Sequence, residues 1–201
     1  MTMKNNIQIS AAEVKDLREK TGASVMECRN ALAESKGKLE KAIDYLKKRG
    51  NEKALQKAER GTSEGVIAAY VHSNKKVGAM VELLCETDFA ARNAEFQELA
   101  YDLAMHIAAM NPKYASFENV PKKDREEYEQ IVREEISSQK KPQEIAEKIV
   151  EGKIRKHFEE ISLFSQAFVK NPGTTIESLI KDKISKIGEN IQIGNFTRFS
   201  I

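Results

Sequence analysis

The residues best suited to nucleophilic chemistry are Cys85 and His72, which are predicted to lie on one β-hairpin. A thiol beside an imidazole base could act as a nucleophile, but a coincidence of position is the better explanation of this pair. The sequence has no Gly-x-x-x-x-Gly-Lys-Ser/Thr loop and no Gly-x-Gly-x-x-Gly loop, and thus no recognisable phosphate cradle. No Cys/His cluster has the spacing of a zinc site. The sequence therefore predicts no enzyme, no cofactor and no metal, and favours a protein that acts by binding another protein.

The stretch from Cys85 to Phe96 carries residues suited to protein recognition. Residues 77–84 before it are apolar and β-forming, and after it apolar residues recur at the spacing of an amphipathic helix. Those apolar residues are Phe96, Leu99, Leu103, Ile107 and Met110. Thr87, Asp88 and Phe89 are therefore predicted to lie where a strand passes into a helix. The Asp88 carboxylate is suited to cap that helix, whereas Phe89 must either fold into the core or project towards a partner.

A family resemblance rests on this stretch and on the N-terminal segment. Cys-Glu-Thr-Asp-Phe-Ala-Ala-Arg-Asn, from Cys85 to Asn93, resembles the Thr-Asp-Phe signature of translation elongation factor Ts. The segment from Ile9 to Leu32 is similar to the ubiquitin-associated-like domain of that family, and the similarity continues to Phe199. Members of the family exchange the nucleotide of the GTPase elongation factor Tu. The resemblance therefore implies a guanine-nucleotide exchange factor for translation elongation, with elongation factor Tu as its partner.

The resemblance also implies how the Thr-Asp-Phe turn acts on elongation factor Tu. Phe89 would enter an apolar pocket near the magnesium site of the GTPase. Asp88 would help to disturb the surroundings of the ion, and Thr87 and Ala90 would shape the turn. The implied result is displacement of Mg²⁺ and faster release of GDP, so that GTP can bind again.

Further contacts with the GTPase are implied on the N-terminal domain and on the helix after the turn. The matching residues are Lys15, Arg18, Val25, Met26 and His106. The family often carries methionine at the position of Val25, so that contact is expected to be smaller here. Read without the resemblance, Lys15 and Arg18 would be a solvated helix face, Met26 a core residue and His106 a half-buried histidine with satisfied hydrogen bonds.

Composition restricts the class of protein. The 201 residues have room for one domain of ordinary size and a small one. Because 33 cationic residues face 31 acidic ones, no net field favours nucleic acid or a membrane. The apolar runs are shorter than the roughly 20 residues of a membrane span, and residues 1–9 lack the apolar core of a secretory signal. Cys28 and Cys85 are expected to be reduced and buried, as in a cytoplasmic protein.

The N-terminal part predicts three short helices. Ser10 to Glu13 and Ser24 to Glu27 each match a capping box, in which the serine and the glutamate satisfy free N–H groups at a helix start. Gly22 is expected to end the first helix. The third helix is predicted to end at residues 48–50, where cationic residues precede a glycine. Residues 51–62 predict a helical extension that acts as a linker.

The remaining sequence predicts a hairpin of strands and a hairpin of helices. Residues 64–73 and 76–86 flank a turn-like Asn-Lys pair, which predicts a β-hairpin with mostly buried strands. Residues 121–152 predict an antiparallel helical hairpin connected at residues 137–141. Its mixed charge favours a solvated or partner-facing projection. Thr174 to Glu177 matches a third capping box, and residues 191–201 alternate as a closing strand.

The predicted fold is therefore α+β. A ubiquitin-associated-like three-helix domain is expected over residues 1–51, a linker over residues 52–63, and a core and dimerisation domain over residues 64–201. The core would be a small antiparallel sheet packed with helices, with the helical hairpin projecting at about residues 121–152. Longer members of the family carry two core halves and this chain carries about one, which suggests a homodimer.

Two other functions remain open at this point. In the first, the protein is a non-catalytic adaptor whose N-terminal bundle binds ubiquitin-like or ribosomal partners. In the second, it associates with RNA through the lysine pairs at 122–123 or 140–141. The near-neutral charge argues against the RNA function, so no direct contact with nucleic acid is expected.

Overall fold

A computed structural model of the chain describes residues 9–137 and 142–201. The helices in those residues are α1 (Ala11–Thr21), α2 (Val25–Glu34), α3 (Leu39–Lys57), α4 (Asp88–Ala91), α5 (Ala94–Met110), α6 (Lys122–Ser137), α7 (Gln143–Glu160) and α8 (Ile176–Ile187). The strands are β1 (Glu64–Val71), β2 (Val77–Cys85), β3 (Ala167–Phe168), β4 (Asn171–Thr175) and β5 (Ile191–Ser200). Short 3-10 turns lie at Phe117–Asn119 and Leu163–Ser165. The predicted α+β class is confirmed.

Helices α1, α2 and most of α3 form the predicted N-terminal bundle. Both capping boxes are present, since Ser10 and Ser24 each accept a bond from the backbone N–H of the glutamate three residues on, and each glutamate bonds back. Gly22 ends α1 in the left-handed region, at φ 67°. The buried centre of the bundle consists of Leu17, Cys28, Ala31, Leu32 and Ala42. Its likeness to a ubiquitin-associated domain stays a prediction.

Helix α3 includes the first part of the helical extension predicted after it, without a break. It does not end at residues 48–50 but continues to Lys57. Gly50 is buried, and a Cβ atom placed on it would lie 3.7 Å from the Cβ of Ser185 on α8. Ala54 is buried in the main core together with α8. A distance of 3.7 Å is an ordinary van der Waals contact, so α3 packs against α8 at Gly50, and this packing outweighs the tendency of glycine to end a helix. Part of the predicted linker thus contacts the core, and the domain boundaries stay a prediction.

The main sheet is antiparallel, with strand order β1-β2-β5. Its inner face packs against α5 and α8 in the largest apolar core, which includes Val81, Leu83, Phe96, Leu103 and Ile107. The strand β2 is largely buried, but β1 lies at the edge and alternates between half-buried and exposed residues. The prediction of a hairpin is confirmed, and the prediction that both strands are mostly buried is wrong for β1. A second sheet, β3-β4, was not predicted.

Helices α6 and α7 form the predicted helical hairpin. Val132, Ile136 and Val150 fill the contact between them. Helix α7 extends to Glu160, eight residues beyond the predicted limit, because Phe158 is buried at its end. Most of the connection predicted at residues 137–141 lies outside the described residues.

The lysine pairs considered for RNA give no support to that function. Lys122 and Lys123 each lie within 4 Å of a glutamate four residues on, at 3.4 Å and 3.7 Å. These exposed ion pairs remove the local excess of positive charge. Residues 140–141 lie outside the described part of the chain.

The third predicted capping box, at Thr174 to Glu177, is wrong by one residue. The N-cap residue of α8 is Thr175 and not Thr174. The side chain of Thr175 accepts a bond from the backbone N–H of Ser178. Glu177 instead lies beside Lys181, at 2.5 Å. Thr175 is selected because β4 extends to that residue and pairs it with Ala167.

The ion pair between Glu27 of α2 and Lys53 of α3 gives a test of how the bundle is held. The bond from Lys53 lowers the pKa of Glu27 to about 2, from an ordinary value of 4.5. A lowered carboxyl pKa stabilises the folded state above pH 4.5, and that contribution is lost as the pH falls from 4.5 to 2. Since both side chains are partly exposed, we expect about 1 kcal/mol. In urea unfolding, the free energy of unfolding of wild type should therefore fall between pH 4.5 and pH 2 by about 1 kcal/mol more than that of Lys53→Met.

The matched control is Lys148→Met, which removes an exposed ion pair with Glu144. It should leave the pH dependence of the unfolding free energy as in wild type. An identical pH dependence in wild type and Lys53→Met would show that the Glu27–Lys53 pair does not stabilise the fold.

Candidate functional site

The turn from Thr87 to Ala90 joins the end of β2 to the one-turn helix α4. Thr87 is the N-cap residue, and its hydroxyl oxygen accepts a bond from the N–H of Ala90 at 3.3 Å. The prediction that Asp88 caps the helix is therefore wrong by one residue. The Asp88 carboxylate lies 3.1 Å from the guanidinium of Arg92, on the outer side of the turn. It still lies in the first helical turn, where the helix dipole favours a negative charge.

Phe89 projects from the surface. Its exposed fraction is 80%, whereas Ala90 and Ala91 beside it are 5% and 7% exposed in the main core. The two alanines are small enough to bring α4 close to the sheet, and they leave Phe89 on the opposite side. Of the two outcomes expected for this aromatic residue, projection towards solvent is the one observed. A large apolar side chain held in this way is suited to enter a pocket on another molecule.

A carboxylate from a distant part of the chain holds the start of the turn. Glu189 Oε2 accepts bonds from the N–H groups of Glu86 and Thr87, at 3.1 Å and 3.0 Å. Its Oε1 accepts a bond from the Thr87 hydroxyl at 2.6 Å. In return, the Glu86 carboxylate accepts a bond from the N–H of Asn190 at 2.6 Å. Sequence reasoning missed Glu189, because the Gly-Glu-Asn segment indicated only the end of a helix.

The residues predicted to contact a partner on the bundle are accessible. Val25 and Met26 open α2 and are 51% and 61% exposed, so Met26 is not a core residue. Lys15 and Arg18 lie on the exposed side of α1, where Lys15 is 3.8 Å from Glu19. These four residues lie on the bundle, whereas the Thr87–Ala90 turn lies beside the sheet. A partner that contacts both would have to reach two separate units.

His106 is fully buried rather than half-buried. Its Nε2 lies 3.0 Å from Oε1 of Gln166, and its Nδ1 accepts a bond from the N–H of Val169 at 3.3 Å. Burial lowers the pKa of His106, and the bond with Gln166 opposes that effect. Both ring nitrogens are therefore satisfied inside the protein, as the reading without a family resemblance expected. Any role in partner contact stays a prediction and would act through the segment at Val169, which is 39% exposed.

The structure does not support a thiol nucleophile. Cys85 pairs with Glu64 across the hairpin, whereas His72 lies at the other end, on the order of 25 Å away for a strand of this length. Burial raises the pKa of the Cys85 thiol, which disfavours the reactive thiolate. Its Sγ donates to the carbonyl of Thr87 at 3.2 Å and so helps to hold the turn.

The chain contains one sequence pattern that is typical of a serine hydrolase. Residues Gly61 to Gly65 match a Gly-x-Ser-x-Gly pattern, but they lead into β1, whereas a nucleophile elbow follows a strand and opens a helix. Among residues 9–137 and 142–201, no group of three or more His, Cys, Asp or Glu is placed to hold a metal ion. In the same residues no helix has the length and apolar character that crossing a membrane requires.

The fold and this site define an α+β protein that presents one exposed aromatic side chain on a short, anchored helix. The family described as Elongation factor TS matches residues 4–201. The chain is 51% identical over 193 residues to elongation factor Ts of Thermosipho melanesiensis, covering 96% of this chain and 98% of the relative. It is 48% identical over 195 residues to that of Fervidobacterium nodosum, covering 97% and 99%. The chain belongs to the elongation factor Ts family.

The exposure of Phe89 predicts that it contributes little to folding. Replacing it by alanine should change the unfolding free energy by less than about 0.5 kcal/mol, as is usual for surface residues. The matched control is Phe96→Ala, because Phe96 is fully buried only seven residues away; its loss should cost about 3–5 kcal/mol. Urea unfolding followed by circular dichroism measures both. A Phe89→Ala variant as unstable as Phe96→Ala would contradict the exposed position of Phe89.

Proposed function

We propose that this protein is the guanine-nucleotide exchange factor for elongation factor Tu and acts by inserting Phe89 next to the magnesium site of the GTPase. The observation that carries the proposal is the 80% exposure of Phe89 on a turn whose neighbouring residues are buried or hydrogen-bonded. The backbone that carries this side chain is already fixed, so less conformational freedom is lost when it enters a pocket. Membership of the elongation factor Ts family supports the choice of partner.

The mechanism needs no covalent chemistry. A factor that binds the nucleotide-free GTPase more tightly than the GDP-bound form must weaken nucleotide binding by the same ratio. A ratio of about 10⁴ requires about 5.5 kcal/mol of differential binding. Phe89 can supply about 2 kcal/mol as a buried anchor. The remainder has to come from other contacts, and the Asp88 carboxylate is placed beside Phe89 to act on the surroundings of the ion.

The N-terminal bundle supplies the second contact in this proposal. Val25 and Met26 offer an exposed apolar pair, and Lys15 and Arg18 offer cationic groups on the adjacent helix. The bundle would hold the GTPase while the Thr87–Ala90 turn acts on the nucleotide site. Because translation elongation takes place in the cytoplasm, the proposed function implies a cytoplasmic protein.

We also propose that the protein is a homodimer that joins through the outer face of the main sheet. Residues opposite each other in the register share that face, and several of them are large, apolar and exposed. The exposed apolar residues there are Ile67, Val71, Met80 and Phe199. The inner face is covered by helices, whereas this face is open. A second copy would bury it and supply a second core half.

The exchange proposal is tested by release of a fluorescent GDP analogue from elongation factor Tu. Wild type at substoichiometric amounts should accelerate release. Phe89→Ala should slow the accelerated rate by about 30-fold, which corresponds to about 2 kcal/mol. Ile131→Ala is the matched control, because Ile131 is an apolar side chain 62% exposed on α6, away from the turn. It should act as wild type does.

Two results would contradict the exchange proposal in different ways. If folded wild type binds elongation factor Tu without accelerating release, the protein is an adaptor rather than an exchange factor. If wild type accelerates release and Phe89→Ala does so equally well, the exchange function stands and Phe89 is not the wedge.

The dimer is tested by light scattering after size exclusion. At micromolar concentration, the wild-type mass should be about twice the 22.7 kDa of one chain. Phe199→Asp should give a monomer, because a charge would be buried at the interface. Ile131→Asp, on α6, should leave the mass unchanged. A monomeric wild type would rule out the dimer.

A further inference from the structure

Helix α4 cannot hold its own position. It contains four residues, and isolated helices much longer than this are only marginally stable in water. The place of Phe89 at the surface is therefore set by contacts that α4 makes with other parts of the chain. Ala90 and Ala91 fix its inner side against the sheet. The contacts that fix the start of the helix decide the direction in which Phe89 projects.

The Thr87 hydroxyl is the centre of those contacts. Its oxygen accepts the N–H of Ala90 and so caps α4, while its proton is donated to Glu189. Glu189 therefore fixes the rotamer that brings the cap oxygen to the helix. The other carboxylate oxygen of Glu189 accepts the backbone N–H groups of Glu86 and Thr87, so backbone and side chain are held by one group.

The segment that carries Glu189 is itself firmly held. Gly188 ends α8 in the left-handed region, at φ 87°. Asn190 is 2% exposed, and its side-chain amide donates to the carbonyl of Arg60 at 2.8 Å. Its backbone N–H donates to Glu86. Glu189 is half-buried and thus extends from a segment that these bonds hold towards a short helix that carries an exposed side chain, which is the geometry of a support rather than of a contact residue.

We propose that Glu189 is a positioning residue for the Thr87–Ala90 turn, fixing the cap of α4 and thereby the direction of Phe89 without itself touching the partner. The functional part of this inference rests on the proposed exchange function. The glutamate has three acceptor contacts with the turn, and a glutamine of the same size can keep only those made to its single oxygen. If that oxygen keeps the two backbone N–H groups, the amide group faces the Thr87 hydroxyl, which would have to turn from donor to acceptor, and the bonds lose the charge of the carboxylate.

Two variants test the proposal in the full-length protein. Glu189→Gln alters the acceptor without changing the size of the side chain. Glu177→Gln is the matched control, because Glu177 lies at the other end of α8 and pairs with Lys181. The first readout is amide hydrogen exchange of the segment 86–93. We expect exchange at least tenfold faster in Glu189→Gln, and unchanged in Glu177→Gln.

The second readout is the GDP-release assay, with a double-mutant cycle to separate positioning from general damage. Glu189→Gln should slow accelerated release about tenfold at saturating concentration of the factor. In a Phe89→Ala background, Glu189→Gln should have little further effect, because both changes remove the same interaction. A merely structural loss would slow release by the same ratio in both backgrounds.

The results separate failure of this proposal from failure of the proposed function. Unchanged hydrogen exchange at 86–93 in Glu189→Gln would overturn the positioning role, whether or not wild type releases GDP. Faster hydrogen exchange with unchanged GDP release, or with independent effects in the double-mutant cycle, would overturn the link to Phe89. Failure of wild type to accelerate release would refute the exchange function, and the hydrogen-exchange readout would still decide whether Glu189 holds the turn.

Discussion

The packing of α5 against the inner face of β2 is the interaction on which the site depends. Leu83 of the strand and Phe96 and Leu103 of the helix are fully buried in one core. Because strand and helix are fixed against each other, the eight residues between Cys85 and Ala94 have both ends anchored. A short connection with two fixed ends has few conformations, so an exposed aromatic side chain can be held there without being buried itself.

The parts of the fold that sequence reasoning found are those with local causes. The two capping boxes of the bundle and the end of α1 at Gly22 are decided by residues close in sequence, and these predictions are confirmed. The errors arose where distant contacts decide. Gly50 packs against α8 instead of ending α3, and Thr175 replaces Thr174 as the cap because a strand extends to it.

The same distinction applies to the candidate site. The exposure of Phe89 was one of two outcomes that the pattern allowed, and only the three-dimensional packing of the neighbouring alanines decides between them. The support from Glu189 joins residues 102 positions apart. The periodicity of neither segment indicates that pairing. For His106 the sequence predicts a half-buried histidine with satisfied hydrogen bonds; the bonds are present, and the distant segment at Gln166 and Val169 makes the burial complete.

The continuity of α3 sets the geometry between the two proposed contact surfaces. The start of α3 belongs to the bundle and its end belongs to the core. The bundle is therefore joined to the core by a continuous helix and not by a flexible linker. Adding or removing one residue in a continuous helix would rotate the bundle relative to the core by about 100°. The number of residues in this helix therefore sets the direction in which the bundle faces relative to the Thr87–Ala90 turn.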